Sequence, residues 1–189
     1  MLTINTLLDS RLLYEEIDGK AIPYKNYYKV LLNQAKIEDI MGSSEAQFIV
    51  VSAILKFLYT HINDKKYWIA TNEAGIHLKH GTNLSADIAI FDRGRVLPNL
   101  ESVNYIAHPP KVIIEVDIKA DLSDFASPLD YYRIKSKKLL DFGVEQVIWI
   151  STSTQMVMFN ESLSPQSWNI PFTIIDELQI YIGELVENF

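Results

Sequence analysis

The sequence predicts a mixed α/β sandwich in the order helix, three mostly antiparallel strands, helix, parallel strand, with a hairpin in front. Three observations carry this. A long apolar segment opens at Ser44 with helix-capping residues, VEQVIWIS from Val144 is apolar at nearly every position, and a helical stretch from Pro128 separates it from KVIIEVDIKA, Lys111 to Ala120. An inner strand covered on both faces reads as a continuous apolar run, and a helix between two strands lets the second join the sheet in parallel.

Asp18-Gly19 lies between extended-looking flanks, so Leu12 to Tyr24 is expected to be a hairpin. Ser44-Glu45-Ala46-Gln47 has the form of a capping box, and the apolar run through Tyr59 predicts a buried helix. Strands are expected at Tyr67 to Thr71, running on towards Ile76 to Lys79, then at Ala86 to Phe91 and at Lys111 to Lys119. Between the last two, Asp92 to His108 reads as a long loop, and Pro109-Pro110 bars a helix before the third strand. Pro128 to Phe142 is a helix with Pro at its start and Gly143 at the position of a left-handed C-terminal cap. A last strand, Gln155 to Asn160, and a C-terminal helix, Ile175 to Val186, complete the reading. The 189 residues suit one domain: an N-terminal hairpin extension at 1–42, a core at 43–151 and a C-terminal strand and helix at 152–189.

Composition narrows the function. Hydrophobic residues at 48% and charged residues at 22% are ordinary for a globular chain. MLTINTLLDSRLLYEE lacks the form of a secretory signal, and FIVVSAILKFLY is broken by Lys56 well short of a membrane span, so a cytoplasmic protein is expected. With no cysteine there is no disulfide framework, thiolate metal site or cysteine nucleophile. The formal charge of -7 argues against a protein that coats nucleic acid by bulk electrostatics. It leaves room for a nuclease, whose carboxylate site adds negative charge locally.

The chemistry concentrates in KVIIEVDIKA. In a strand, Lys111, Ile113, Glu115, Asp117 and Lys119 share one face and the apolar Val112, Ile114, Val116 and Ile118 the other. The odd face therefore gathers two acids and a base, neighbours spaced by roughly 7 Å. Taken alone, E-x-D-x-K reads as a solvated edge strand. Two residues elsewhere shift the weighing. Asp87, in SADIAIF, sits in a run that predicts burial, where an ionised carboxylate needs a partner; a capping or turn role near the strand start is the other reading. Lys135 falls in the middle of the stripe formed by Tyr131, Tyr132, Leu139 and Phe142, while Arg133, Lys137 and Lys138 point elsewhere. It can snorkel, or it can meet the carboxylate of Glu115 or Asp87. Two or three carboxylates suit a hard cation such as Mg²⁺ or Mn²⁺, and a nearby ammonium suits the developing charge of phosphodiester hydrolysis.

With those residues in place, the sequence resembles the PD-(D/E)XK nuclease superfamily and, within it, the Uma-two branch of restriction-endonuclease-like proteins. That branch shows a Y-E-x-x-x-G hairpin, a helix opening near Ser-Pro-x-x-His, a Pro-Asp pair, Pro-Pro followed by V-x-x-E-V, and a lysine helix leading into G-V-x-E-Y-W. The counterparts are Tyr14 to Gly19, Ser43 to Gln47, Ala86-Asp87, Pro109-Pro110 to Glu115-Val116, and Lys135 to Gly143-Val144-Glu145-Gln146-Val147-Ile148-Trp149. The resemblance spans roughly Leu13 to Ser151. It implies a restriction-endonuclease-like core and a Mg²⁺- or Mn²⁺-dependent endonuclease acting on DNA in preference to RNA, with Asp87 and Glu115 as principal metal ligands.

Some positions depart from the branch. Ala86 replaces the usual Pro, Ala46 or Gln47 stands for the helix-start His, and Asp117-Ile118-Lys119 restores the older D-x-K form. Two registers therefore compete, Glu115 with Lys135 or Asp117 with Lys119. Glu115 is the preferred ligand, Asp117 a further one, and Lys119 and Lys135 stand equally as the catalytic lysine. Glu45 is a candidate auxiliary acid, although a first-turn acid already suits the helix dipole. His77 and His80 lack a third ligand, His61 and His108 read as helix-end and loop residues, Trp149 as core, and Tyr131 and Tyr132 as packing. A homodimer is expected on the general ground that cutting a duplex needs two sites. The competing class is a nuclease-fold module that binds or regulates without cleaving.

Overall fold

The computed structural model of the chain describes residues 9–96 and 99–189. Its centre is a six-stranded sheet. In chain order its strands are β3 (Tyr67–Thr71), β6 (Ile88–Asp92), β7 (Val112–Val116), β8 (Gln146–Ser151), β9 (Met156–Phe159) and β10 (Gln166–Ser167), and they lie side by side as β3-β6-β7-β8-β9-β10. Within this sheet β7 and β8 pair in parallel and the other neighbours antiparallel, the parallel pair being joined by the helix α4 (Pro128–Phe142). Ser127 caps α4 by accepting from the Asp130 N–H, and Gly143 ends it at φ +115°, a conformation a side chain at that position would strain.

Alternation along the inner strands builds two cores. Ile88, Ile90, Val112, Ile114, Val116, Ile148 and Ile150 face the helix α3 (Glu45–His61). Ala89, Phe91, Ile113, Val147 and Trp149 face α4 and a second, four-stranded sheet. That sheet, ordered β2-β1-β5-β4, consists of β1 (Leu13–Ile17), β2 (Lys20–Pro23), β4 (Ile76–Lys79) and β5 (Thr82–Leu84). The hairpin turning at Asp18-Gly19 is thus present, but it is built into the second core rather than appended to it. The short helices α1 (Tyr27–Leu31) and α2 (Glu38–Met41) lead from it to α3.

Several expectations need correction. The strand predicted over Lys111 to Lys119 ends at Val116, because Asp117 takes a left-handed conformation, φ +51°. The run at Ile76 leaves the main sheet and pairs with β5, around a turn at Gly81 with φ +73°. α3 is covered on one side only: Phe48 and Tyr59 are 59% and 64% exposed. The C-terminal helix expected over Ile175 to Val186 is instead a hairpin, β11 (Phe172–Ile175) and β12 (Leu178–Ile180), followed by the short α5 (Ile182–Glu187). Asp176 makes the hairpin turn at φ +49° and accepts from Tyr67 Oη and Lys66 Nζ, while Ile174, Ile175 and Ile180 fill the core beside α3. No helix among the described residues is long and apolar enough to cross a membrane.

Candidate active site

The densest polar cluster in the core assembles where β1, β5, β7 and α4 meet. Lys135 comes inward from α4 with no exposed surface. Its Nζ lies 2.6 Å from Glu15 Oε1 and 2.7 Å from Glu115 Oε1, and donates to the Ser85 carbonyl at 2.9 Å. Glu15 is well served: Tyr131 Oη donates to its other oxygen at 2.6 Å, and Ser85 donates through its N–H and hydroxyl at 2.9 and 3.1 Å. Glu115 is not. Both its oxygens are buried without a well-directed hydrogen bond, because the approach of Lys135, although close, misses hydrogen-bond geometry. Burial pushes the Glu115 carboxyl up to about 8, against the pull of Lys135 and with a further push from Asp87 and Glu15. Burial alone would lower the Lys135 ammonium, but the carboxylates of Glu115 and Glu15 more than reverse this and hold its proton tightly.

Asp87 stands one residue before β6, at the edge of the same cluster. Its Oδ2 accepts from the Val116 N–H at 2.8 Å, and the amide of Gln47 on α3 reaches both oxygens at 3.3 Å. Desolvation raises its carboxyl above the ordinary range, opposed by the Val116 N–H and by Lys119 and Lys135. The capping box is therefore half formed. Ser44 accepts from the Gln47 N–H at 3.1 Å, but the Gln47 side chain serves Asp87 instead of the helix end. A local hydrogen-bonding role for Asp87 coexists with its place in the cluster.

A cleft of about 420 Å³ opens onto Asp87 and Lys119, lined also by Ser43, Phe48 and Glu73. Lys119 Nζ sits 3.0 Å from Glu73 Oε1, and Glu73 Oε2 accepts from Tyr24 Oη at 3.0 Å. Glu115 and Lys135 do not line the cleft; they lie behind it, 1% and 0% exposed.

Of the five residues singled out from the sequence, Glu115 and Lys135 touch, Asp87 borders them, and Lys119 lines the same cleft as Asp87. Asp117 does not join. Its backbone turns left-handed at the end of β7, and its carboxylate accepts from the Thr152 N–H at 3.0 Å and hydroxyl at 2.6 Å, tying together the ends of β7 and β8. Glu45 is exposed in the first turn of α3 and does not line the cleft. His77 pairs with Asn83 and His61 with the Phe57 carbonyl. Trp149 and Tyr131 are core, as read, with Trp149 Nε1 donating to Ser136 Oγ at 2.8 Å.

Sequence reading missed Glu15, Ser85 and Glu73 as parts of the site. Glu15 carried a signal: it alternates with Ile17 on the inward face of β1, the same charged residue on an apolar stripe that drew attention to Lys135. Glu73 carried none, since it follows Asn72 in a turn where both residues have positive φ, 66° and 54°.

Across this architecture the chain is similar to a crystallised protein from Anabaena variabilis ATCC 29413, described as "a putative nuclease belonging to DUF820". The superposition has a TM-score of 0.66 at 15% identity and covers 96% of this chain and 94% of that one. The two chains share a fold. No protein-family model matches the sequence, and no curated protein matches it.

The residues present suit a hard cation in part. Asp87 and Glu115 offer carboxylate oxygens, and those of Glu115 are buried without a well-directed donor, the state of a carboxylate that a cation would complete. Among the described residues no three acids or histidines are placed to hold a metal ion together, and Glu15, the third acid of the cluster, is taken up by Lys135, Tyr131 and Ser85, so water and phosphate oxygens would fill the other positions, as Mg²⁺ prefers.

Proposed function

We propose that this chain is a divalent-metal-dependent, cytoplasmic nuclease that hydrolyses DNA phosphodiester bonds, of the PD-(D/E)XK superfamily and its Uma-two branch. The observation that carries the reading is the placement of Lys135, without exposed surface and in contact with Glu115, beside the half-buried Asp87. A cation bound by Asp87 and Glu115, Mg²⁺ or Mn²⁺, would supply Lewis-acid polarisation of the phosphate and a more acidic water. The chain's own residues supply the rest. The Val116 N–H and Gln47 amide fix the direction of the Asp87 carboxylate. Glu15 anchors Lys135, so that its ammonium holds Glu115 in place and offsets part of the negative charge of the clustered acids. Lys119, at the cleft, meets a non-bridging phosphate oxygen once Glu73 yields it. Water adds at phosphorus, one P–O ester bond breaks, and the products are an alcohol and a phosphate monoester. Asp117 is given a positioning role through Thr152 rather than a ligand role.

The fold shared with the Anabaena protein supports this reading at the level of architecture. A second reading, a nuclease-fold module that no longer cleaves, draws support from the seclusion of Glu115 and Lys135 behind the cleft. Cleavage of plasmid and single-stranded DNA with Mg²⁺ or Mn²⁺ separates them. The wild type is expected to cut and Asp87→Ala to lose activity by two orders of magnitude or more; undiminished cutting by Asp87→Ala rejects the mechanism, and an inert wild type favours the silent module.

A further inference from the structure

The cleft has a mixed lining. Polar Asp87, Glu73, Ser43 and Lys119 share it with apolar Met41, Phe48 and Val51. Phe48 is 59% exposed and Met41 38%. The buried residues of α3 are Gln47, Val50, Ala53, Ile54 and Leu58, and Val51 packs beside them at the rim of the cleft, whereas Phe48 lies on the next stripe round the helix and is open to the cleft. A phenyl ring left open in the same cleft as an ammonium and a carboxylate does nothing for the core.

We propose that Phe48, flanked by Met41, is a stacking wall for an unpaired nucleobase, so that the cleft takes single-stranded DNA with its phosphate at Lys119. The inference rests on the nuclease reading of Asp87 and deepens it by naming the strand form of the substrate. The size of the cleft, about 420 Å³, is that of a small-ligand site and suits one nucleotide. An aromatic face accepts any base, and the Lys119 ammonium in the same cleft complements the phosphate. The net charge of -7 offers little for the two phosphate rows of a duplex, so a stack supplies contact energy that electrostatics here does not. A second copy of the chain pressing an apolar face into the cleft would dehydrate Lys119, Glu73 and Asp87 without adding a partner for any of them.

The test uses the full chain, wild type, Phe48→Ala and Phe48→Tyr, and one labelled DNA oligonucleotide offered single-stranded and as a duplex. Affinity is read by fluorescence anisotropy with Ca²⁺, and cleavage with Mg²⁺ or Mn²⁺. The wild type is expected to favour the single strand about tenfold, Phe48→Ala to lose about tenfold in that affinity, and Phe48→Tyr to keep it, as the loss of one base–aromatic stack predicts. Because Phe48 is exposed, the wild type and both variants are expected to melt alike, which separates binding from folding. Equal affinity for both forms, or no effect of Phe48→Ala, overturns the inference. Cutting of duplex as fast as single strand by wild type and Phe48→Ala alike overturns it while leaving the nuclease reading intact. Phe48-dependent binding of single strands without cleavage upholds the wall and removes the nuclease. A dimer that Phe48→Ala splits in sedimentation, with single-strand affinity unchanged, makes the wall a subunit contact and overturns the inference.

Discussion

Replacing Lys135 by Met keeps most of the stem and removes one charge from the driest part of the site. The ammonium lies 2.6 Å from Glu15, 2.7 Å from Glu115 and 2.9 Å from the Ser85 carbonyl. Without it, Glu15 keeps the Tyr131 hydroxyl and both Ser85 donors, and Glu115 keeps nothing. Breaking a buried ion pair from one side costs about 3–5 kcal/mol, out of a total stability of about 5–15 kcal/mol for a typical domain. At about 2–4 °C per kcal/mol for a chain of this size, Tm should fall by roughly 10 °C. Urea unfolding checks this, with a lower midpoint at an unchanged m value. Adding Glu115→Gln to Lys135→Met removes the stranded acid. The double variant should therefore be more stable than the sum of the two single losses predicts. A Lys135→Met protein within about 0.5 kcal/mol of wild type, or strict additivity in the cycle, would refute the argument.

Two further outcomes follow from the same geometry. Burial carries the Glu115 carboxyl from 4.5 to about 8. The folded chain therefore keeps a proton that the unfolded chain releases, and this contribution to stability is full below about pH 4.5 and lost as pH rises towards 8. Glu115→Gln, neutral throughout, should show a flatter Tm across that window; a wild-type advantage that grows towards pH 8 in thermal melts would contradict the assignment. Glu73→Gln removes the carboxylate held 3.0 Å from Lys119. A partly exposed pair of this kind is worth about 1 kcal/mol, so DNA affinity should tighten about fivefold in anisotropy titrations, whereas weaker binding would argue against Lys119 as the phosphate contact.

The legible part of this protein is the part written in periodic patterns. Period-two alternation placed Glu115 opposite the α3 face of β7, and the stripe on α4 placed Lys135 inward, because burial on one side of a regular element repeats at a fixed interval. The α4 caps, Ser127 and Gly143, bracket a helix whose bounds the sequence reading also found, Pro128–Phe142. What escaped was decided by single residues leaving the regular backbone. Asp117 breaks the alternation that would have carried it and Lys119 beside Glu115, and Asp176 turns an expected helix into a hairpin. Glu73 reaches Lys119 from an irregular turn that no period announces. Glu15 is a different case. Its alternation with Ile17 was visible, but only the folding of β1 against β5 and over α4 brings it to Lys135, a contact across 120 positions of sequence.

The most direct measurement is a thermal melt with and without Mn²⁺ of wild type, Asp87→Asn and Glu115→Gln. A ligand at a hundredfold its Kd stabilises by about 2.7 kcal/mol, so joint coordination by the two acids predicts a rise of roughly 5–10 °C in the wild type and little in either variant. Equal rises in all three proteins would place the cation elsewhere and contradict the account.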